Sequence, residues 1–191
     1  HWHETLFGVT GFCLRGLGRL RDTSDLMLRS LRLALDAGNI RGASVEASNL
    51  SELSLTLGDV SSAVGQGEQS VELADRSGDA FMRMARRTTL AAALFCAGHI
   101  GRMKDESGRI KTDDDSSFVF PPSSFASAAF REAEAMQQEM QPQFPLLYSQ
   151  RGHRYCELLL ADVWLRIAEL KDGMAQSEIQ NWKSEIPHLK S

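Results

Sequence analysis

The side chains best suited to chemistry are few and scattered. His1, His3 and Glu4 form one cluster with metal-donor chemistry. They stand at the start of the chain, where order is least expected, and H-x-H alone is a weak spacing. Cys13, Cys96 and Cys156 are odd in number and none belongs to a C-x-x-C pair, which argues against a disulfide framework or a zinc knuckle. Each lies within an apolar helical pattern, so all three read as small buried hydrophobes in a reducing cytoplasm. Cys96 and His99 have the spacing of a nucleophile and its base on one helix face, but no third group is there to orient the base. His153 and His188 are isolated. Asp113, Asp114 and Asp115 share only acidity with a calcium loop, since the EF-hand spacing is absent. There is no G-x-S-x-G elbow, no H-E-x-x-H and no phosphate-cradling loop. The expectation is of no enzyme, no metal and no cofactor.

Composition limits the alternatives. The chain has 191 residues, 42% of them hydrophobic and 24% charged, enough apolar material for one ordinary domain or one run of repeats. A net charge of -4 gives no basic signature for nucleic acid or an anionic membrane surface. The longest apolar run, around Leu90 to Ala97, is far short of a membrane-spanning helix. Arg83, Arg86 and Arg87 read as a solvated helix face that pairs with carboxylates. The first residues do not resemble a signal peptide and there is no initiator Met, so a cytoplasmic excerpt of a longer protein is expected.

What must position these residues is a repeat. Leu17-Gly18 matches Leu57-Gly58, Ser30 matches Ser70, Leu33 matches Leu73 and Ala34 matches Ala74. Gly38-Asn39 matches Gly78-Asp79, and every pair differs by 40. The same shift carries Leu50 to Leu90 and Gly58 to Gly98. A first helix is predicted over about Ala43 to Leu57, with Ala47, Leu50, Leu53, Ser54 and Leu57 inward. Gly58 ends it. A second helix is predicted over about Val60 to Ser77, with Ala63, Gly67, Ser70, Val71 and Ala74 inward, and Gly78-Asp79 closes the unit. The third unit is broken. Its first helix runs from about Phe81 to Ala97 and ends at Gly98. Its second runs from about Ser124 to Gln138, with Ala128, Ala129, Ala133 and Met136 inward. The intervening residues 100–123 are polar and Ser-rich around Asp113 to Ser117, which favours mobility. Phe118, Val119 and Phe120 leave docking on the stack or contact with a partner open. A last helix is predicted from near Pro145 through Trp164 and Leu170 to Gly173.

Leu50, Ser51, Gly58 and Ala63, together with Tyr148-x-x-Arg151-Gly152-x-x-Tyr155, carry a family likeness, from which Ser70 departs by standing where Ala is preferred. In this register the chain resembles the tetratricopeptide repeats, with a unit longer than the usual 34 residues. Gly67 stands where the family prefers an aromatic, and Arg151 where it prefers Leu. Another helical-hairpin solenoid remains the alternative. The resemblance implies an all-α, right-handed superhelical stack of about four antiparallel helix-turn-helix units. These would span about 3–40, 41–80, 81–140 with the insertion at 100–123, and 141–173, with 174–191 as a capping helix or tail.

The resemblance also implies a concave groove lined by the first helices. Its positions fall on Thr5, Phe12 and Arg15, then Ser48, Glu52 and Leu55, then Thr88, Ala92 and Phe95, then Ser149, His153 and Cys156. Of these, Arg15, Ser48, Glu52, Thr88, Phe95, Ser149 and His153 are the candidate partner-binding residues. Phe12, Leu55 and Phe95 read more readily as packing residues than as ligand contacts. The groove lacks the clustered Lys and Asn that capture a chain-end carboxylate, so an extended or helical segment with apolar anchors fits better. The expected function is a protein-interaction scaffold that binds a protein or peptide. The second reading is the ligand-sensing C-terminal repeat region of a larger bacterial signal-transducing ATPase. Neither nucleic acid nor a membrane is expected as a partner, and self-association through open ends of the stack is left open.

Overall fold

Four glycines 20 residues apart set the layout. Gly18, Gly38, Gly58 and Gly78 have φ between 69° and 81°, the left-handed region that closes a helix and that other residues adopt only at a cost. In the computed structural model the helices between them are α1 (Trp2–Gly16), α2 (Leu20–Asp36), α3 (Ile40–Leu57) and α4 (Val60–Ser77). Further on come α5 (Ala80–Ser107), α6 (Ser123–Met140) and α7 (149–163). The structure describes residues 2–107, 123–163 and 167, with side chains for 6–98, 124–163 and 167. Among the described residues there is no strand.

After two of these glycines, the next residue serves both neighbouring helices, whereas Arg19 after Gly18 makes no side-chain cap. The Asn39 N–H donates to Ala34 O (2.8 Å), closing α2, while its side chain accepts from Gly42 N (3.0 Å), opening α3. Asp59 repeats this with Ser54 O (2.9 Å) and Ser62 N (3.0 Å). Asp79 accepts from Met82 N (2.9 Å) at the start of α5. A short acceptor side chain at this place satisfies an amide that the first turn leaves free.

Burial follows the 40-residue period. The second-type helices bury Thr23, Met27, Ser30 and Ala34 in α2 and Ala63, Gly67, Ser70 and Ala74 in α4. Helix α6 buries Ala126, Phe130, Ala133 and Gln137, the same four-residue pattern offset by 63 from α4, that is, the period lengthened by 23 residues. It is therefore the second helix of the third unit. Each helix packs on the next from α1 to α6, and the first helices α3 and α5 also pack side by side. Between α2 and α3 lies a core of Met27, Leu31, Ala34, Ala43, Ala47, Leu50 and Leu53, with Leu73 of α4 joining it. Elsewhere the core is rich in Ala and Ser, which brings the backbones close. A Cβ on Gly67 would stand 3.3 Å from Leu90 Cα and 3.4 Å from Ser51 Oγ. Buried hydroxyls donate to carbonyls, as Ser51 does to Ala63 O (2.7 Å) between α3 and α4, so burial leaves them paired.

The structure departs from the sequence expectations in several places. Helix α5 does not end at Gly98 but continues to Ser107, because His99 is no helix-opening acceptor of the Asn39 or Asp59 kind. Leu57, in the last turn of α3, is 45% exposed rather than inward. In α6 the face turns: Ala128 is exposed, and Phe130 and Gln137 are buried instead. Alanines occupy two opposed sides of that helix, so they could not mark the inner one. Helix α7 starts at 149, four residues later than Pro145. Cys13 and Cys156 are exposed and only Cys96 is half-buried, so the cysteines are not all core residues. The segments 108–122 and 174–191 lie outside the described residues. The chain divides into two compact units, His1–Tyr155 and Cys156–Ser191. In the second unit Leu158 is buried, whereas Leu159, Leu160 and Val163 are exposed.

Candidate partner-binding face

The odd-numbered helices bring their polar side chains onto one face of the first unit. Glu52 of α3 is its centre. Arg15 of α1 reaches one carboxylate oxygen (3.2 Å) and Arg154 of α7 the other (3.5 Å). All three side chains remain about one-quarter exposed. One turn before Glu52, the Ser48 hydroxyl donates to Thr89 Oγ1 (3.1 Å) and accepts from Arg86 Nη1 (3.2 Å), both on α5. At the edge Arg41 pairs with Asp79 (3.0 Å). Arg151 stacks over Phe81 at 5.0 Å and faces Tyr148 at 5.9 Å. Arginine lies well on aromatic faces because its planar cation meets the negative ring surface.

Arg86 has the least ordinary surroundings. Its Nη2 contacts Met82 Sδ (3.1 Å), and its buried Nε–H has no acceptor. It has no ion-pair partner among the described residues. Burial pushes the guanidinium below its ordinary value; Glu52 and Asp79 oppose this, and Arg151 and Arg41 add to it. Its neighbour Arg87 is treated differently. Arg87 makes a bidentate pair with Asp75 (2.9 and 3.0 Å) and a second pair with Glu132 (2.7 Å), joining α4, α5 and α6. The Arg83–Arg86–Arg87 cluster is thus not one solvated face: Arg83 and Arg87 pair with Asp75, and Arg86 turns toward α3.

Of the sequence candidates, Arg15 and Glu52 are brought together. Ser48 is 2% and Thr88 3% exposed, so both hydroxyls serve the packing; Thr88 donates to Ala85 O (2.7 Å). They offer a partner almost no surface. Phe95 is half-buried. Ser149 and His153 are exposed on α7, and Ser149 takes a left-handed φ of 59° where that helix begins. Sequence reasoning missed Arg41, Arg86, Arg151 and Arg154. Arg151 had a signal: a charged residue where the repeat calls for Leu. Arg154 had none beyond its place beside His153.

Five arginines therefore share this face with two carboxylates, in a chain whose net charge is -4. Chemically, such a face can hold an anion. Among the described residues no three of His, Cys, Asp and Glu gather as metal donors, and no helix is long and apolar enough to cross a membrane. The chain matches no family model and no curated protein. Its chemistry has to be read from the face itself.

Proposed function

We propose that this chain is a protein-interaction module of tetratricopeptide-like construction, which binds a peptide or helix of a partner on the face lined by α1, α3, α5 and α7. One observation carries the reading: Glu52 of α3 is held from α1 and α7 at once, with Arg86 of α5 beside it. Side chains from four helices, far apart in sequence, thus meet on a partly exposed surface. Such a surface is formed before a ligand arrives, so little ordering cost opposes binding. Arg15, Glu52 and His153 are taken as its exposed or half-exposed contacts, with Phe95 and Ser149 as further candidates. Ser48 and Thr88 act from beneath, Ser48 by holding Arg86.

Selection of binders from a random peptide display library tests this. The double variant Arg15→Glu, Glu52→Arg keeps the net charge and an ion pair between α1 and α3, removes the pair with Arg154, and reverses the pattern a ligand meets. Selected peptides should bind the wild-type chain and lose most of their affinity for the double variant. Unchanged affinity would show that the face is misassigned.

A further inference from the structure

Every other arginine on this face has something to neutralise or cushion it. Arg15 and Arg154 share Glu52, Arg41 has Asp79, and Arg151 lies on Phe81. Arg86 has only a serine hydroxyl and a thioether sulfur; its Nε–H lacks a hydrogen-bond acceptor, as does that of Arg87, but Arg86 also lacks an ion pair among the described residues. A half-buried cation with no ion-pair partner among the described residues is costly to keep, because desolvation is repaid only by close opposite charge. The same helix shows the usual remedy one residue later, where Arg87 has both Asp75 and Glu132. The charge left over near Arg86 is positive: Arg41 and Arg151 reinforce it, and both nearby carboxylates, Glu52 and Asp79, are already engaged by other arginines.

We infer that the missing counter-ion comes from the partner, and that the face takes an acidic segment with an internal Asp or Glu side chain set against Arg86. The inference rests on the peptide-binding reading above and names the class of peptide. Charge complementarity selects this occupant. The surroundings fit a segment rather than a bare ion: Phe81 and Tyr148, both exposed, flank Arg151 and offer apolar contact beside the cations. Arg15 and Arg154 each have donors left after meeting Glu52, for further carboxylates along the segment.

The test uses the full chain and the peptides recovered from the display selection, with both ends blocked so that only side-chain carboxylates count. The recovered sequences should be enriched in Asp and Glu, and affinity should fall as salt rises. Replacing their acids by the amides should weaken binding about tenfold or more, the worth of one charge-assisted hydrogen bond. Arg86→Met should weaken binding by a similar factor, with Arg86→Lys in between. Because it removes an uncompensated buried charge, Arg86→Met should not lower the unfolding midpoint, which separates this role from a structural one. Peptides that bind the face without acidic enrichment would overturn the inference and leave the peptide-binding reading intact. Recovery of no peptide at all would overturn both. A chain that binds inorganic phosphate at this face but no acidic peptide would overturn the inference in favour of a small oxyanion.

Discussion

Two glycines on one helix allow packing to be weighed against helix propensity. Gly65 and Gly67 both lie inside α4. A Cβ on Gly65 would meet nothing within 4 Å, whereas one on Gly67 would stand 3.2 Å from Leu90 Cδ1, 3.3 Å from Leu90 Cα and 3.4 Å from Ser51 Oγ. Replacing an interior helical Gly by Ala stabilises by roughly 1 kcal/mol, chiefly by removing freedom from the unfolded chain. Gly65→Ala should gain about that amount. Gly67→Ala gains it too, but must push α5 away. Leu90 Cδ1 can rotate aside; Leu90 Cα moves only with its helix. Overpacking of this kind costs about 1–3 kcal/mol. Since the required shift is a few tenths of an ångström, about 2 kcal/mol is the reasonable figure, which leaves Gly67→Ala about 1 kcal/mol less stable than wild type. The two variants should therefore differ by about 2 kcal/mol in urea unfolding followed by circular dichroism, with similar slopes. If Gly67→Ala stabilises as much as Gly65→Ala, α4 and α5 do not approach as closely as described, and the account of the small-residue core fails.

Other expectations follow from the turns, the ion pairs and the thiols. Gly58→Ala should destabilise by about 1–2 kcal/mol in the same assay, because its φ of 81° is costly for a residue with a Cβ although the space around it is empty. The hydrogen bond from Arg87 holds the Asp75 carboxyl below its ordinary value of 3.8, with Arg83 adding to it against the effect of burial. A depressed carboxyl stabilises the fold above its unfolded value, and that contribution is lost as pH falls through the folded one. Asp75→Asn should thus flatten the loss of stability below about pH 4, and an unchanged acid limb would count against the pair. A thiol reagent should label Cys13 and Cys156 rapidly in the native chain and Cys96 more slowly, as their exposure orders them.

The periodic parts of this fold could be read from its sequence because they depend on backbone geometry. Gly58 and Gly78 mark turns wherever a left-handed residue is required, and the predicted span of α4 matches the observed one. The second helix of the third unit was found across a long insertion because its Ala spacing survived. Its inner face was not, since alanines at 126, 129 and 133 on one side and at 128 and 135 on the opposite side give both the same look, and only the packing of Phe130 decides. At the candidate site, aligning successive first helices put Arg15 and Glu52 on one face, and the structure adds that they pair. The roles of Arg86 and Arg154 did not, because they depend on which side chains helices 30 to 100 residues apart aim at one another. Nothing in the local pattern separates Arg86 from Arg87, yet one has two carboxylates and the other none.

The two-residue junctions at Gly38-Asn39, Gly58-Asp59 and Gly78-Asp79 have a bearing on how such a chain can change in length. Each seam carries within itself the means to stop one rod and begin the next. Joining Gly38 directly to Asp79 would excise two helices and still leave a glycine followed by a side chain able to receive an amide. Whole hairpins can thus be dropped or duplicated by cutting at the seams, with no new turn to be invented. Extra sequence placed within a seam would separate the two partners and spoil both ends at once. The long insertion of this chain follows Gly98-His99, a seam whose second residue is of another kind and through which the rod runs on unbroken.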